Sequence, residues 1–259
     1  MSFPMRAEKI QRFETLVSSA GAGPLSNIAA GFLNQCLKFA RFLLPQACQL
    51  CGADDAGGPL CAPCAADLPW LPPARCAVCA VPLASGEICG ACLDRPPRFD
   101  RVEAVFGYRF PVDALVHAYK YGGRLALARS LGEALAQQVA RDVDVIVPMP
   151  LACGRLAERG FNQALEIARI VAAETGIEIL PGACRKVADT PPQAALPWKD
   201  RVKNVRRVFV CDADLEGKRV AVVDDVLTTG ATLNELARVL RKAGAASVRG
   251  WIVARTLPY

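Results

Sequence analysis

The chain has 259 residues, of which 53% are hydrophobic, and its mean hydropathy is +0.24. This length and composition exclude a disordered protein and allow one large domain or two smaller domains with a real core. The net charge of +6 suits anionic ligands such as phosphates or nucleic acid, although it does not require them.

The first 45 residues predict a helical extension. The start of the chain contains acidic residues and lacks a basic segment followed directly by an apolar run, so no signal peptide is predicted. Residues 25–44 are largely apolar but are interrupted by Asn34, Gln35, Lys38 and Arg41. A membrane span needs about 20 mostly apolar residues. We therefore expect an amphipathic helix within residues 1–45, no membrane span and a cytoplasmic protein, with binding to a membrane surface as the alternative.

Eight of the twelve cysteines repeat with one spacing. They form four Cys-x-x-Cys pairs, and the second two pairs repeat the first two at an offset of 28 residues: Cys48, Cys51, Cys61 and Cys64, then Cys76, Cys79, Cys89 and Cys92. Two such pairs supply the four thiolates of a tetrahedral Zn²⁺ site. We therefore expect a double zinc ribbon over residues 46–98 that holds one or two structural Zn²⁺ ions.

Disulfide bonds and an iron–sulfur cluster are less well supported by the cysteine repeat than zinc. A disulfide framework requires an oxidising compartment, which nothing in the sequence indicates. An iron–sulfur cluster is disfavoured because the pairs are regularly spaced rather than clustered in one run. We expect neighbouring pairs to share a site, and a crossed arrangement, in which the first pair joins the third, remains the alternative.

After the cysteine repeat, strands alternate with helices. The predicted strands are residues 102–110, 144–147, 178–180, 208–210, 220–223 and 247–254. The predicted helices are residues 111–120, 124–141, 162–174 and 232–243. This alternation predicts an α/β domain over residues 99–259, with a mostly parallel sheet flanked by helices. The single histidine of the chain, His117, lies in the first predicted helix and argues against Ser-His-Asp and Cys-His enzymes.

The most informative segment is VVDDVLTTGAT, residues 222–232. A buried strand leads into Asp224 and Asp225, then a turn rich in hydroxyl groups, then a helix that we expect to begin at Thr232 with a Thr-x-x-Glu capping box. Such a turn brings free backbone N–H groups and the positive end of a helix dipole to one point, so it predicts a phosphate site. The adjacent carboxylates can accept hydrogen bonds from ribose hydroxyls, and Mg²⁺ would be held through the phosphates of the ligand.

Two further loops carry concentrated positive charge. The first, residues 148–163, leaves the carboxyl end of a predicted strand and contains Arg155 and Arg159, whose guanidinium groups suit pyrophosphate oxygens. The second, residues 185–207, holds seven basic residues and Trp198. It is interpreted as a lid over a charged ligand or as a nucleic-acid contact, with a solvated basic loop as the alternative.

The segment with Asp224 and Asp225 resembles the phosphoribosyl-pyrophosphate (PRPP) motif of type I phosphoribosyltransferases. With CQLCG and its repeats, HAYKYGGR, VIVPMPL, RLAERGFNQA and RKVADTPPQ, it also resembles the ComF family over residues 48–255. The resemblance implies a zinc ribbon followed by a type I phosphoribosyltransferase-like domain. It also implies binding of PRPP and a role in natural competence, with single-stranded DNA and competence-machinery proteins as partners.

The family's functional roles transfer to matching positions of this chain. The resemblance implies that Asp224 and Asp225 are the catalytic carboxylates and hold the ribose hydroxyls. The whole motif, including Val226 and Leu227, is expected to contact PRPP. The 5′-phosphate is expected to be held by Thr228, Thr229, Gly230, Ala231 and Thr232. Arg155, Arg159 and Lys120 are expected to face pyrophosphate. The acceptor substrate is not indicated, so two hypotheses stay open: a phosphoribosyltransferase, or a non-catalytic module on the same fold that senses nucleotides or binds nucleic acid or a partner.

Overall fold

The computed structural model describes residues 47–54, 60–187 and 208–257. The predicted helical extension over residues 1–45, and the basic segment from residue 188 to residue 207 with Trp198, lie outside the described residues. In the part of the chain that is described, no helix is long and apolar enough to cross a membrane.

A five-stranded sheet forms the centre of the α/β domain. The described strands are β1 (Arg101–Gly107), β2 (Val145–Pro148), β3 (Glu178–Ile179), β4 (Cys184–Lys186), β5 (Phe209–Cys211), β6 (Arg219–Leu227) and β7 (Ser247–Arg255). The sheet has the order β1-β7-β6-β2-β3, and every neighbouring pair is parallel. The prediction of an α/β fold with a mostly parallel sheet is therefore confirmed.

Helices cover both faces of the sheet. The described helices are α1 (Ala62–Ala66), α2 (Gly90–Asp94), α3 (Val112–Tyr121), α4 (Leu127–Gln138), α5 (Cys153–Arg159), α6 (Gln163–Thr175) and α7 (Ala231–Lys242). Side chains alternate along β6, so Val220 and Val222 pack with α7 while Ala221 and Val223 pack with α4 and α6. Because both faces are buried, the centre of β6 is an unbroken apolar run. The sequence therefore predicted a strand at residues 220–223.

The motif strand is longer than the sequence predicted. The prediction ended it at Val223, whereas β6 continues through both aspartates to Leu227. β2 pairs with β6 only as far as Val223, but β7 pairs with β6 up to Leu227. Asp224 and Asp225 therefore lie beyond the end of β2, at the carboxyl edge of the sheet, where ligands bind in open α/β folds.

The predicted capping box at the start of α7 is wrong. The helix begins at Ala231, and the N-cap residue is Gly230, with φ of 79° and no side-chain capping hydrogen bond. A left-handed backbone of this kind is easily adopted by glycine, which has no Cβ. The predicted C-terminal end of α7 is confirmed: Gly244 follows the helix with φ of 96°, as expected for a glycine that ends a helix.

Two further elements differ from the prediction. The loop expected over residues 148–163 contains a short helix, α5. The strand predicted at residues 208–210 does not join the main sheet: β5 pairs antiparallel with β4, a strand that was not predicted, in a separate two-stranded sheet. Its partner lies more than twenty residues earlier in the chain, so local sequence could not identify the pairing.

The cysteine-rich region packs along the outer edge of β1. The Leu71 N–H donates to the Val105 carbonyl at 2.9 Å, and the Gly107 N–H donates to the Pro69 carbonyl at 2.7 Å. The Arg75 guanidinium donates to another β1 carbonyl at 2.8 Å. These bonds satisfy polar groups that an edge strand would otherwise expose, so the region is joined to the sheet by backbone hydrogen bonds.

Candidate functional site: two four-cysteine groups and a cleft at the edge of the sheet

The eight repeated cysteines form two separate groups of four. Within each group the Sγ atoms lie within 4.8 Å of one another. The Cys51–Cys61 Sγ distance is 3.7 Å and the Cys79–Cys89 Sγ distance is 3.6 Å. A tetrahedron with Zn–S bonds of about 2.3 Å has S···S edges of about 3.8 Å, whereas a disulfide bond is about 2.05 Å long. The thiol geometry therefore fits structural zinc, and neighbouring pairs share a site, as predicted.

The two ribbons share the same backbone hydrogen bonds and turn conformation, as they share the same cysteine spacing. In the first ribbon the Gly52 N–H donates to the Cys48 carbonyl at 2.8 Å, and in the second the Ala80 N–H donates to the Cys76 carbonyl at 2.9 Å. Both residues after the knuckle have positive φ, 72° for Gly52 and 59° for Ala80. The Cys61 and Cys89 amides also donate to the first thiol of their own group, at 3.4 and 3.3 Å.

These backbone donors favour the thiolate form that binds metal. The N–H groups of Cys51, Cys61 and Leu50 lower the pKa of the Cys48 thiol to about 6, against the effect of desolvation. Burial raises the pKa of Cys76, but three backbone N–H groups outweigh burial and lower it to about 7. Hydrogen bonds to the charged form have this effect in general, so the first cysteine of each group is prepared to supply a negatively charged sulfur.

A cleft of about 380 Å³ opens at the carboxyl edge of the main sheet. It is lined by every residue predicted to contact PRPP except Thr229: Lys120, Arg155, Arg159, Asp224, Asp225, Val226, Leu227, Thr228, Gly230, Ala231 and Thr232. The sequence motif and the RLAERGFNQA segment, which are some sixty residues apart, therefore meet in one place because parallel strands end at the same edge.

The two aspartates differ in their surroundings. Asp225 is 6% exposed and its carboxylate pairs with the Lys120 ammonium at 2.7 Å. Asp224 accepts a hydrogen bond from the Asp225 N–H at 2.9 Å. Burial, and then the neighbouring charge of Asp225, raise the pKa of Asp224 to about 7. Burial alone would lower the pKa of Lys120, but the charges of Asp225 and Asp224 outweigh it and raise that pKa.

The turn after β6 presents its backbone to the cleft. Gly230 has φ of 79°, and its missing Cβ faces only the Phe99 ring, at 3.7 Å. The left-handed backbone, rather than a lack of space, therefore requires glycine here. The Thr229 hydroxyl accepts from the Ala231 N–H at 3.2 Å, which explains why Thr229 shapes the turn instead of lining the cleft. The turn is followed directly by α7, whose N-terminus favours anions.

The segment between β2 and α6 is shaped by its own side chains. Gly160, with φ of 80°, ends α5. The Asn162 side chain caps α6 by accepting from two backbone N–H groups, and its amide donates to the Met149 carbonyl at 3.1 Å. The buried Gln163 side chain accepts a hydrogen bond from Arg159. The segment thus fixes the position of Arg159 relative to the end of β2.

Tyr108 and Tyr121 are among the cleft-lining residues that sequence reasoning did not assign to the site. Tyr121 is 62% exposed, and its ring lies 5.0 Å from the Arg159 guanidinium carbon and 4.9 Å from the His117 ring. Tyr121 could have been predicted from HAYKYGGR, since it directly follows Lys120, a predicted site residue, at the end of α3. Lys186 belongs to the basic segment over residues 185–207 that was interpreted as a lid over a charged ligand, and the structure places it at the cleft, at the end of β4.

Comparison with known proteins gives the same two parts. The profile of a double zinc ribbon domain matches residues 39–93, and that of a phosphoribosyl transferase domain matches residues 129–256. The DNA utilization protein YhgH of Salmonella typhi is 34% identical over 173 residues, which are 64% of this chain and 76% of that protein. Competence protein F of Haemophilus influenzae is 32% identical over 175 residues, 63% of this chain and 76% of that protein.

Among solved structures, the glutamine PRPP amidotransferase of B. subtilis in complex with ADP and GMP is 27% identical, covering 52% of this chain and 30% of that one, with a TM-score of 0.37. The parallel sheet, the matched domain and the two four-cysteine groups define a type I phosphoribosyltransferase-like α/β protein with a zinc-ribbon region before the domain. The chain belongs to the ComF family, as its identity to competence protein F over three quarters of that protein's length shows.

Proposed function

We propose that the chain binds PRPP with Mg²⁺ in the cleft at the carboxyl edge of the sheet and transfers the phosphoribosyl group to an acceptor. The observation that carries this proposal is the meeting of a carboxylate pair, a glycine turn before a helix and two arginines in one cleft. Each group matches one part of the ligand: hydroxyls, a phosphate monoester and a pyrophosphate.

In this proposal the turn from Thr228 to Thr232 binds the 5′-phosphate through backbone N–H groups and hydroxyls. Asp224 and Asp225 accept hydrogen bonds from the ribose hydroxyls, and Arg155 and Arg159 donate to the pyrophosphate oxygens. Mg²⁺ would supply charge neutralisation to the pyrophosphate, held through phosphate oxygens and water. Lys120 already neutralises Asp225 at 2.7 Å, so it would limit the repulsion between the two carboxylates until the ligand is bound.

The proposed reaction breaks the bond between C1 of the ribose and pyrophosphate, whose oxygen keeps the electron pair. A nucleophilic atom of the acceptor forms the new bond to C1 and gives up its proton to water. Positive charge develops on the ribose ring as pyrophosphate departs. The carboxylates of Asp224 and Asp225 lie in the same cleft and would stabilise that charge electrostatically.

The biological setting is part of the same proposal. Relatives of this chain are named as a DNA utilization protein and as competence protein F, so we place its role in natural competence and the handling of incoming single-stranded DNA. A reducing compartment keeps the eight zinc-ligand thiols available, which favours the cytoplasm. We keep the division into a helical extension (residues 1–45), a double zinc ribbon (46–98) and a phosphoribosyltransferase-like domain (99–259) as a proposal.

Calorimetric titration of PRPP and Mg²⁺ into the zinc-loaded protein tests ligand binding. The Asp224→Asn/Asp225→Asn variant should lose saturable binding. A matched control is Asp142→Asn/Asp144→Asn, which removes two carboxylates that precede β2 at the opposite end of the sheet, where they pair with Arg249 and Arg219. Equal loss in both variants, or no binding by the wild type, would overturn the proposal. Release of pyrophosphate on addition of bases or single-stranded DNA then tests transfer.

A second candidate function is favoured by the rim of the cleft. The exposed Tyr121 ring, flanked by Arg159 and His117, offers a stacking surface next to positive charge, which is how single-stranded nucleic acid is commonly bound. In this candidate the fold is a non-catalytic module that binds nucleic acid, nucleotides or a protein partner.

Binding of a labelled single-stranded oligonucleotide tests the second candidate. Affinity should fall steeply as the salt concentration rises. Tyr121→Ala should weaken binding more than Leu125→Ala, which changes an exposed apolar residue in the connection between α3 and α4. Affinity that is independent of salt, or equal in the two variants, would contradict nucleic-acid binding at this rim.

A further inference from the structure

Arg255, the last residue of β7, connects the second zinc ribbon to the turn that lines the cleft. Its side chain is buried, with 9% of the residue exposed. Its Nε donates to the Cys79 carbonyl at 3.0 Å. Its Nη1 donates to the carbonyls of Leu227, at 3.1 Å, and Thr228, and also to the Thr256 carbonyl at 2.7 Å. One guanidinium thus joins a zinc-ligand residue to two residues of the PRPP motif.

A buried guanidinium is costly to desolvate unless its donors are satisfied. Arginine has five N–H donors in a rigid planar arrangement and no acceptor, and here carbonyl oxygens accept from the Nε and Nη1 groups, which carry three of the five. Because the acceptors come from two separate parts of the chain, moving either part away would leave a buried charge without its hydrogen bonds. The guanidinium therefore ties the position of the turn to that of the zinc knuckle.

The bonds also set the direction of the turn's amides. In a planar trans peptide the carbonyl and the N–H of one unit point in opposite directions. With the carbonyls of Leu227 and Thr228 held by Arg255, the N–H groups of the next residues, Thr228 and Thr229, point away from it. Leu227 and Thr228 line the cleft, whereas Arg255 does not, so the turn lies between Arg255 and the ligand cleft.

The second ribbon is anchored to the α/β domain through its knuckle. Ala80, directly after Cys79, is 0% exposed and belongs to the core cluster that contains Phe99 and Leu233. Gly52, the equivalent residue of the first ribbon, has nothing within 4 Å of the position of a Cβ. An alanine with φ of 59° is strained, and burial of its methyl group in this core offsets the strain. The knuckle around Cys79 is therefore a fixed support.

We propose that Arg255 is a positioning residue through which the second four-cysteine group, and not the first, holds the phosphate-binding turn in its ligand-ready form. The proposal rests on the proposed function insofar as the ligand is a phosphate ester. Misplacement of binding groups by about 1 Å can lower the efficiency of a site roughly a hundredfold. We expect Arg255→Met to weaken PRPP binding by about ten- to a hundredfold while both zinc ions are retained.

The two ribbons provide a matched pair of variants. Cys61→Ser and Cys89→Ser change equivalent ligands of the first and second group. In the full-length protein we expect Cys89→Ser to weaken PRPP binding about tenfold or more and Cys61→Ser to change it less than about twofold, with zinc content measured for each variant. Arg255→Lys should restore part of the affinity, since lysine retains the charge and three donors but not the planar fork.

Hydrogen exchange of residues 226–232 in the ligand-free protein gives a second, independent readout. Exchange in this segment should increase in Arg255→Met and Cys89→Ser and stay at the wild-type rate in Cys61→Ser. Wild-type exchange and affinity in Arg255→Met, or equal effects of Cys61→Ser and Cys89→Ser, would overturn the positioning role. If the wild type fails to bind PRPP while exchange responds as expected, the proposed function fails and the positioning role stands.

Discussion

The ion pair between Lys120 and Asp225 allows a quantitative test of the site's electrostatics. The Lys120 ammonium lies 2.7 Å from the Asp225 carboxylate, and the two side chains are 21% and 9% exposed. Asp224 adds a second carboxylate next to Asp225, so one ammonium stabilises two acidic groups. Lys120→Met keeps most of the aliphatic stem and removes the charge, and it therefore isolates the electrostatic contribution.

Breaking a fully buried ion pair by removing one partner costs about 3–5 kcal/mol, and an exposed pair contributes at most about 1 kcal/mol. The partial exposure here places the expected loss between these limits, and we expect Lys120→Met to lower the free energy of unfolding by about 2–3 kcal/mol at pH 8. The raised pKa of Lys120 contributes stability that is fully present below the unfolded pKa of about 10.4 and is lost at higher pH. The contribution is therefore complete at pH 8.

The loss should shrink at lower pH. Asp224, with a pKa of about 7 in the wild type, is largely protonated at pH 6, so Lys120 then stabilises one carboxylate charge instead of two. One pKa unit corresponds to about 1.4 kcal/mol. We therefore expect the destabilisation by Lys120→Met to be about 1 kcal/mol smaller at pH 6 than at pH 8.

Urea unfolding at a fixed zinc concentration measures these differences for Lys120→Met, Asp225→Asn and the double variant. The double variant should be at least about 1.5 kcal/mol more stable than the sum of the single effects predicts, because each single change leaves a charge without its partner. Arg129→Met, which breaks an exposed pair with Glu133, is the control and should cost less than about 1 kcal/mol. Additive effects within about 0.5 kcal/mol would refute the reasoning.

Three further predictions follow from single contacts. The pKa of Asp224 is raised from 3.8 to about 7, so the stability of the free protein should fall as pH rises from about 4 to about 7. Affinity for PRPP should rise between pH 6 and pH 8, because the ionised carboxylate accepts the ligand's hydrogen bonds. Calorimetry should find both trends weaker in Asp224→Asn. Gly132→Ala would place a Cβ 2.7 Å from a side-chain carbon of α6 and should cost about 1–3 kcal/mol, whereas Gly182→Ala, with open space around it, should be nearly neutral in the same urea titration. Trp251→Phe removes the indole donor 2.5 Å from the buried Glu103 carboxylate. The change should lower the free energy of unfolding by about 1–3 kcal/mol, and a thermal unfolding experiment should show a lower midpoint temperature.

The parts of the molecule that sequence predicted well are those specified by nearby residues. The centre of β6 was readable because Val220 to Val223 form an unbroken apolar run that is buried on both faces. The cysteine-rich metal-binding region was predictable because the same spacing occurs twice, although the spacing left a crossed arrangement open and the structure decided between the two. Along α3 and α6, apolar periodicity gave positions within about two residues of those in the structure.

The errors arise where a distant segment decides the local structure. β6 extends past Val223 because β7 continues beside it, and Cys184–Lys186 is a strand because Phe209–Cys211 pairs with it. The start of α7 was misplaced because a Thr-x-x-Glu pattern suggested a cap, whereas the left-handed turn at Gly230 begins the helix one residue earlier. The two strand outcomes are not visible in a window of ten residues, whereas the start of α7 is a local error in choosing between Gly230 and Thr232 as the N-cap.

The roles of individual side chains at the site were still harder to predict. Arg155 and Arg159 were placed in the cleft by their loop, and the structure agrees on their position. Lys120 was expected to face pyrophosphate, and its contact in the structure is the Asp225 carboxylate, a residue more than a hundred positions away. Arg255 was not predicted as a site residue, because an arginine at the end of an apolar strand usually indicates that the chain returns to solvent.

Unequal strand lengths explain how the cleft and its support arise together. β2 ends opposite Val223, and the four residues of β6 beyond it keep β7 on one side only. Their other side is therefore open to a ligand, which places two carboxylates at the edge of a cleft instead of within a sheet. The partner strand must be equally long to support this overhang, and its last residue, Arg255, pairs with Leu227. An overhanging strand thus requires a residue at that position, and an arginine there can hold the turn from behind while its other donors reach the zinc knuckle.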